Sequence, residues 1–150
     1  MLFRSPPRTA PFAKGRRGGF GARVDPVTHV ALGASLAHVF LSRRIGRAAA
    51  AAGALAGLAP DADIFIGSAT DPLLAIEHHR GFTHALIFVP AGAAMVAAVW
   101  LLGREWRERG RWLALWAAAG ISYLSHVLLD AATSYGTRLF WPFSDERAGW

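Results

Sequence analysis

A chain of 150 residues without cysteine allows one domain and excludes disulfides and thiolate metal sites. With 53% hydrophobic and only 17% charged residues it is apolar for so short a protein, which points to membrane contact. The net charge of +6 is no nucleic-acid signal: Arg4, Arg8, Lys14, Arg16, Arg17 and Arg23 lie in the first 23 residues, and the rest carries ten basic and ten acidic side chains, leaving no basic face to track phosphates.

Residues 1–23, rich in Pro, Gly and Arg, lack apolar periodicity and read as a disordered basic tail. No continuous apolar run makes them a secretory signal. With fifteen arginines to one lysine, a sign of a GC-rich genome, they are either an over-extended start, with Val24 the true first residue, or a tail lying on anionic lipid. Residues 24–150 form the domain.

Four apolar segments follow. The first runs from Val27 to Leu41 and ends at Ser42-Arg43-Arg44; the second runs from Gly46 to Ala59 and is stopped by Pro60. Both fall short of the ~20 residues that cross a hydrocarbon core, so they read as buried helices, a re-entrant pair or tilted spans. The third, His84 to Leu102, has 19 residues, enough to cross, with a kink expected at Pro90. The fourth, Trp112 to Ala132, is also long enough and stays apolar until Ser122, Ser125, His126 and Asp130 enter. Trp100, Trp106, Trp112 and Trp116 bracket the polar turn Arg104–Arg111, as an aromatic belt at one membrane surface would. No strand pattern is present beyond the short Ile64-Phe65-Ile66 run. The fold class is all-α: a membrane-associated bundle of about four helices, several of them crossing.

The ionisable residues fall at one end of this bundle. Helices that alternate in direction bring the start of the first segment (His29), the 60–83 loop (Asp61, Asp63, His79) with His84, and the end of the fourth segment (His126, Asp130) together, the way metal sites in bundles are built. His126 and Asp130, four apart, share a helix face. Imidazole and carboxylate suit zinc and similar divalent ions, whereas the plainer reading of this pair is a hydrogen bond tying two helices. Asp61 and Asp63 flank a cation or, more plainly, form a turn after Pro60. In His79-Arg-Gly-Phe-Thr-His84, Gly81 permits a tight turn, Arg80 suits an anionic substrate group, and Thr83 suits a cap on the third helix. His38 lies about half a helical circumference from His29 and is left out of the site. His78 is an alternative to His79.

These stretches resemble the YdjM-like family of bacterial inner-membrane-associated, metal-dependent hydrolases, some described as LexA-regulated. The resemblance rests on Asp25-Pro-Val-Thr-His29 with Gly33, Leu58-Ala-Pro-Asp61-Ala-Asp63, His79-Arg-Gly-Phe-Thr-His84, Ser125-His126-Val-Leu-Leu-Asp130, and Thr133-Ser-Tyr-Gly136 with Trp141-Pro142-Phe143. It implies an inner-membrane enzyme with divalent metal, zinc first, held by His29, Asp61, Asp63, His79, His84, His126 and Asp130. More distantly the family looks related to the zinc phospholipase C and P1 nuclease group, which implies a phosphoester or lipid-linked substrate, with Asp61 or Asp63 accepting the proton from water and Arg80 orienting the substrate. Family members often continue past Trp-Pro-Phe with further apolar segments, whereas this sequence ends in a polar stretch at Trp150, so it reads as a short member or a fragment. Other readings are a non-catalytic membrane protein with a structural His/Asp cluster and a metal or proton transporter; the apolar third segment argues against an ion pathway. Membrane lipid is the expected partner, and nucleic acid is not. Arginine placement from a Val24 start, seven at the turns Ser42–Arg47 and Arg104–Arg111 against three at the site end, turns the site outward; from a Met1 start the six basic residues of the tail join the site end, make it nine against seven and reverse the orientation.

Overall fold

The structure, a computed structural model, describes residues 25–65, 82–102, 109–133 and 136–149. Asp25 starts helix α1 (Pro26–Ile45): its carboxylate accepts from the Thr28 backbone N–H at 2.8 Å, and Pro26 occupies the first turn, where no N–H is needed. Asp25-Pro-Val-Thr is therefore a helix-start signal that sets His29 one turn inside α1. The helix ends at Gly46, which takes a positive φ of 60°, after Arg43 and Arg44 in the last turn. Helix α2 (Ala48–Leu58) runs back, and Pro60 turns its end into a 3-10 helix (Pro60–Phe65) bearing Asp61 and Asp63.

After two 3-10 turns, Phe82–His84 and Leu86–Phe88, helix α3 (Val89–Leu101) runs away from the site end. Helix α4 (Arg109–Ala131) returns and packs on α1, α2 and α3. The C-terminal stretch folds back over the site end through a Thr137–Ala148 bridge and a bond from the Leu86 N–H to the Leu139 carbonyl at 3.0 Å. The Trp141–Pro142 peptide is cis.

The core is mostly alanine, which lets the helices approach closely. At the α1–α2 crossing, Gly33 and Gly53 face one another; a Cβ on Gly33 would sit 2.6 Å from the Gly53 carbonyl oxygen. Gly57 lies against the His29 carbonyl in the same way. Ser122 of α4 donates to the Gly33 carbonyl at 2.8 Å, fastening α4 over this crossing. Small residues spaced four apart and hydroxyls bonded across helices are the packing devices of bundles in lipid.

The third apolar segment departs from the expected continuous span. Its first five residues are turns, and α3 has 13 residues. Ala85 is extended (ψ 140°), and the Leu86 N–H is taken by Leu139. Pro90 sits in the first turn of α3, so it starts the helix and does not kink it. Thr83, six residues ahead of α3, does not cap it. Among the described residues, Arg111–Ala131 of α4 is the helix stretch long and apolar enough to cross a membrane; Ala48–Leu58 and Leu86–Leu101 are shorter. Of the proposed aromatic belt, Trp106 lies outside the described residues, and Trp116 spends its indole N–H on the Pro90 carbonyl (3.0 Å), bracing α4 against α3.

Candidate metal centre

Three separate stretches bring four donors to one point. Asp61 comes from the 3-10 helix after α2, His84 from the turn before α3, and His126 with Asp130 from one face of α4, and their donor atoms all lie within 4.8 Å of one another. The His84 and His126 Nε2 atoms are 3.2 Å apart. Asp61 Oδ1 is 3.6 Å from His84 Nε2 and 3.4 Å from His126 Nε2. Asp130 Oδ2 is 3.4 Å from His84 Nε2 and 3.6 Å from His126 Nε2. These five separations, all between 3.2 and 3.6 Å, are close enough for the four groups to share one small cation, and imidazole nitrogen with carboxylate oxygen is a donor set that zinc accepts.

Both imidazoles are held from behind. The His126 Nδ1 is 2.7 Å from the Gly57 carbonyl, which can only accept, so Nδ1 carries the hydrogen and the Nε2 lone pair is left for the centre. Behind His84, Thr83 donates its hydroxyl hydrogen to Asp63 Oδ2 at 2.8 Å, leaving its oxygen to accept from His84 Nδ1 at 3.0 Å. His84 Nε2 is thereby aimed inward as well. Tyr123, whose ring lies over Gly92, donates to the Thr83 carbonyl at 2.9 Å and pins the turn in place. His29 stacks on His126 at 3.7 Å between centroids and approaches Asp130 Oδ1 with Nε2 at 3.2 Å, which orients the carboxylate so that Oδ2 faces the centre.

The cluster is built for positive charge. Burial pushes the Asp61 carboxyl up, but hydrogen bonds from His126 and His84 outweigh it and hold the group well below the usual carboxylate range. Burial pushes His84 down, but its bonds to Asp130, Asp61 and Asp63 outweigh that and raise it to about 10. The carboxylates that hold a proton on this imidazole are the groups a cation would satisfy, and its binding would displace that proton. His84, His126 and Asp130 are buried, whereas the Asp61 side chain is 27% exposed, so Asp61 marks the open side.

Of the residues expected at the site, the structure thus brings Asp61, His84, His126 and Asp130 together as donors, with His29 against Asp130. Asp63 lies on the Nδ1 side of His84 (3.6 Å), opposite the ring edge that faces the centre. His79 and Arg80 lie outside the described residues. Ser122, Tyr123, Thr83 and the Gly57 carbonyl complete the support. Ser122 could have been found as the polar residue one turn before His126 on the same face of an apolar helix.

Thr83→Val is expected to weaken metal affinity by roughly 10–100-fold while leaving one ion bound at saturation, because it removes the acceptor behind His84 but no donor. Competition with a chelating dye measures this; unchanged affinity would show that the relay to Asp63 does not orient His84.

The family described as YdjM inner membrane protein matches residues 24–150. The chain is similar to inner membrane protein YbcI of Escherichia coli (strain K12), 37% identical over 98 residues, covering 64% of this chain and 54% of that protein. It is also similar to uncharacterized protein YfhP of Bacillus subtilis (strain 168), 31% identical over 128 residues, covering 81% of this chain and 38% of that protein. The chain therefore spans about half the length of the first relative and less of the second. No solved structure matches.

Proposed function

This chain belongs to the YdjM inner membrane protein family, and from that premise and the donor geometry we propose that it is a membrane-bound, metal-dependent hydrolase of phosphoester or lipid-linked substrates. The observation that carries the reading is the convergence of His84, His126, Asp61 and Asp130 donors on one point, with both imidazoles oriented from behind and one donor at the open side. Zinc suits two imidazole nitrogens and two carboxylate oxygens. A divalent ion there supplies the charge that acidifies water and polarises a phosphoryl or carbonyl oxygen.

The chain's own residues do the rest. Asp61, as the exposed donor, would face the approaching substrate. Asp63 fixes His84 through Thr83, and His29 fixes Asp130. The 3-10 helix of Asp61 also carries Phe65, 88% exposed, and the stretch docked on the His84 turn carries Phe143, 83% exposed. Exposed apolar groups on these two stretches favour a substrate with a hydrophobic part.

A second reading has its own support. Four protein donors close a tetrahedral shell, as structural zinc sites do, whereas catalytic sites keep a position open. The whole chain in mixed micelles, with a chromogenic phosphodiester and a phospholipid as substrates, separates the two. Hydrolysis that chelator abolishes, that zinc restores and that Asp61→Asn removes supports the hydrolase. No turnover of either substrate by the fully loaded protein favours a structural ion.

A further inference from the structure

At the end of the bundle opposite the metal centre, a groove of about 490 Å³ opens between α1, α2 and α3, lined by His38, Arg47, Ala48, Ala50, Ala51 and Trp100. Its volume falls within the ~300–1,000 Å³ of small-molecule sites. We propose that it binds the headgroup of an anionic phospholipid.

Charge is the first reason. Arg47 is exposed at the rim, Arg43 and Arg44 are exposed in the last turn of α1, and the sequence from Pro26 to Pro60 contains no acidic residue. The floor is the second. Ala48, Ala50 and Ala51 form the first turn of α2, which no side chain caps, so a phosphate can come close to the backbone at the positive end of the helix.

The remaining walls select a lipid over a soluble anion. Trp100 closes one side, and its α3 neighbours Val99 and Leu102 are exposed apolar groups placed to meet acyl chains. Arg111 begins the stretch of α4 that can cross a membrane, and Asp130 of the metal centre lies at its other end, roughly 28 Å away at 1.5 Å per residue. The groove thus sits at the depth of one headgroup layer when the metal centre sits near the other. A basic pocket between helices at that depth is where anionic headgroups bind. This site is independent of the hydrolase reading.

The test uses the full-length chain in phosphatidylcholine nanodiscs doped with brominated phosphatidylglycerol or brominated phosphatidylcholine, read by tryptophan quenching. Stronger quenching by the anionic lipid is expected, with the excess lost in Trp100→Phe. Arg47→Gln should lower the apparent affinity for the anionic lipid roughly fivefold, the fold-change equivalent to ~1 kcal/mol per basic residue at the surface. Arg138→Gln, at the metal end, should leave it unchanged. An unchanged circular dichroism spectrum and thermal midpoint show that each variant is folded. Equal quenching by the two lipids, an unaltered preference in Arg47→Gln, or displacement by millimolar inorganic phosphate would each overturn the proposal.

Discussion

The native chain is expected to purify with at least one divalent ion, and protein carrying His126→Ala and Asp130→Ala together is expected to purify without it. The double substitution leaves Asp61 and His84 as donors, two of the four, and it removes the groups that His29 stacks on and approaches. Binding of a structural zinc is worth about 10–16 kcal/mol in small domains, so losing half the donors should lower affinity by far more than 100-fold. Elemental analysis of the purified protein reads the result directly. His84→Ala should also deplete the ion, by a change on a different element. Ser125→Ala should not, since among the described residues the Ser125 hydroxyl bonds the Ser122 carbonyl one turn back. An unaltered metal content in the double variant would remove His126 and Asp130 from the centre.

The second large effect is expected from one methyl group. Gly53→Ala places a Cβ against the Gly33 carbonyl oxygen, 2.5 Å from the Ala37 Cβ and 2.9 Å from the Ser122 hydroxyl. The first of these is backbone and cannot swing away, so α1 and α2 must separate. Overpacking of this kind costs about 1–3 kcal/mol or more, which exceeds the ~1 kcal/mol that alanine gains over glycine within a helix. Gly120→Ala is the matched control: it makes the same helical exchange, but its Cβ would meet only the Ala93 Cβ at an ordinary 3.7 Å. Thermal unfolding in detergent, followed by circular dichroism, should show Gly53→Ala less stable than native and Gly120→Ala equal or more stable. A reversed order would mean that the glycine crossing is not close-packed.

The polar residues were easier to read from the sequence than the path of the chain between them. Charged and imidazole side chains are rare in apolar segments, so His126 and Asp130 stood out, and alternating helix directions sufficed to bring Asp61 and His84 to them. The third segment misled because composition reports burial and not conformation. Residues 84–88 are apolar enough for a helix, but the Leu86 N–H is taken by the docked C-terminal stretch, and Pro90 fits the start of a helix as well as a kink. Asp63 is the same residue type as Asp61 two positions earlier, and only the three-dimensional turn shows it behind His84. Gly53-Ala-Leu-Ala-Gly57 carried a legible signal of close helix contact. Hydropathy alone hides that signal, because glycine and alanine count there as weakly apolar filler.

The order in which the donors occur along the chain has a consequence for biogenesis. Asp61 and His84 are synthesised first, but the two imidazoles lie 42 positions apart, and both remaining donors lie in α4. Full coordination therefore has to wait until α4 has been made and has docked, which closes a long loop at a modest entropic cost. Capture of an ion at this cluster would then be one of the last events of assembly. A chain stalled before α4 would offer only Asp61 and His84, so an ion held by all four donors would separate finished protein from unfinished protein.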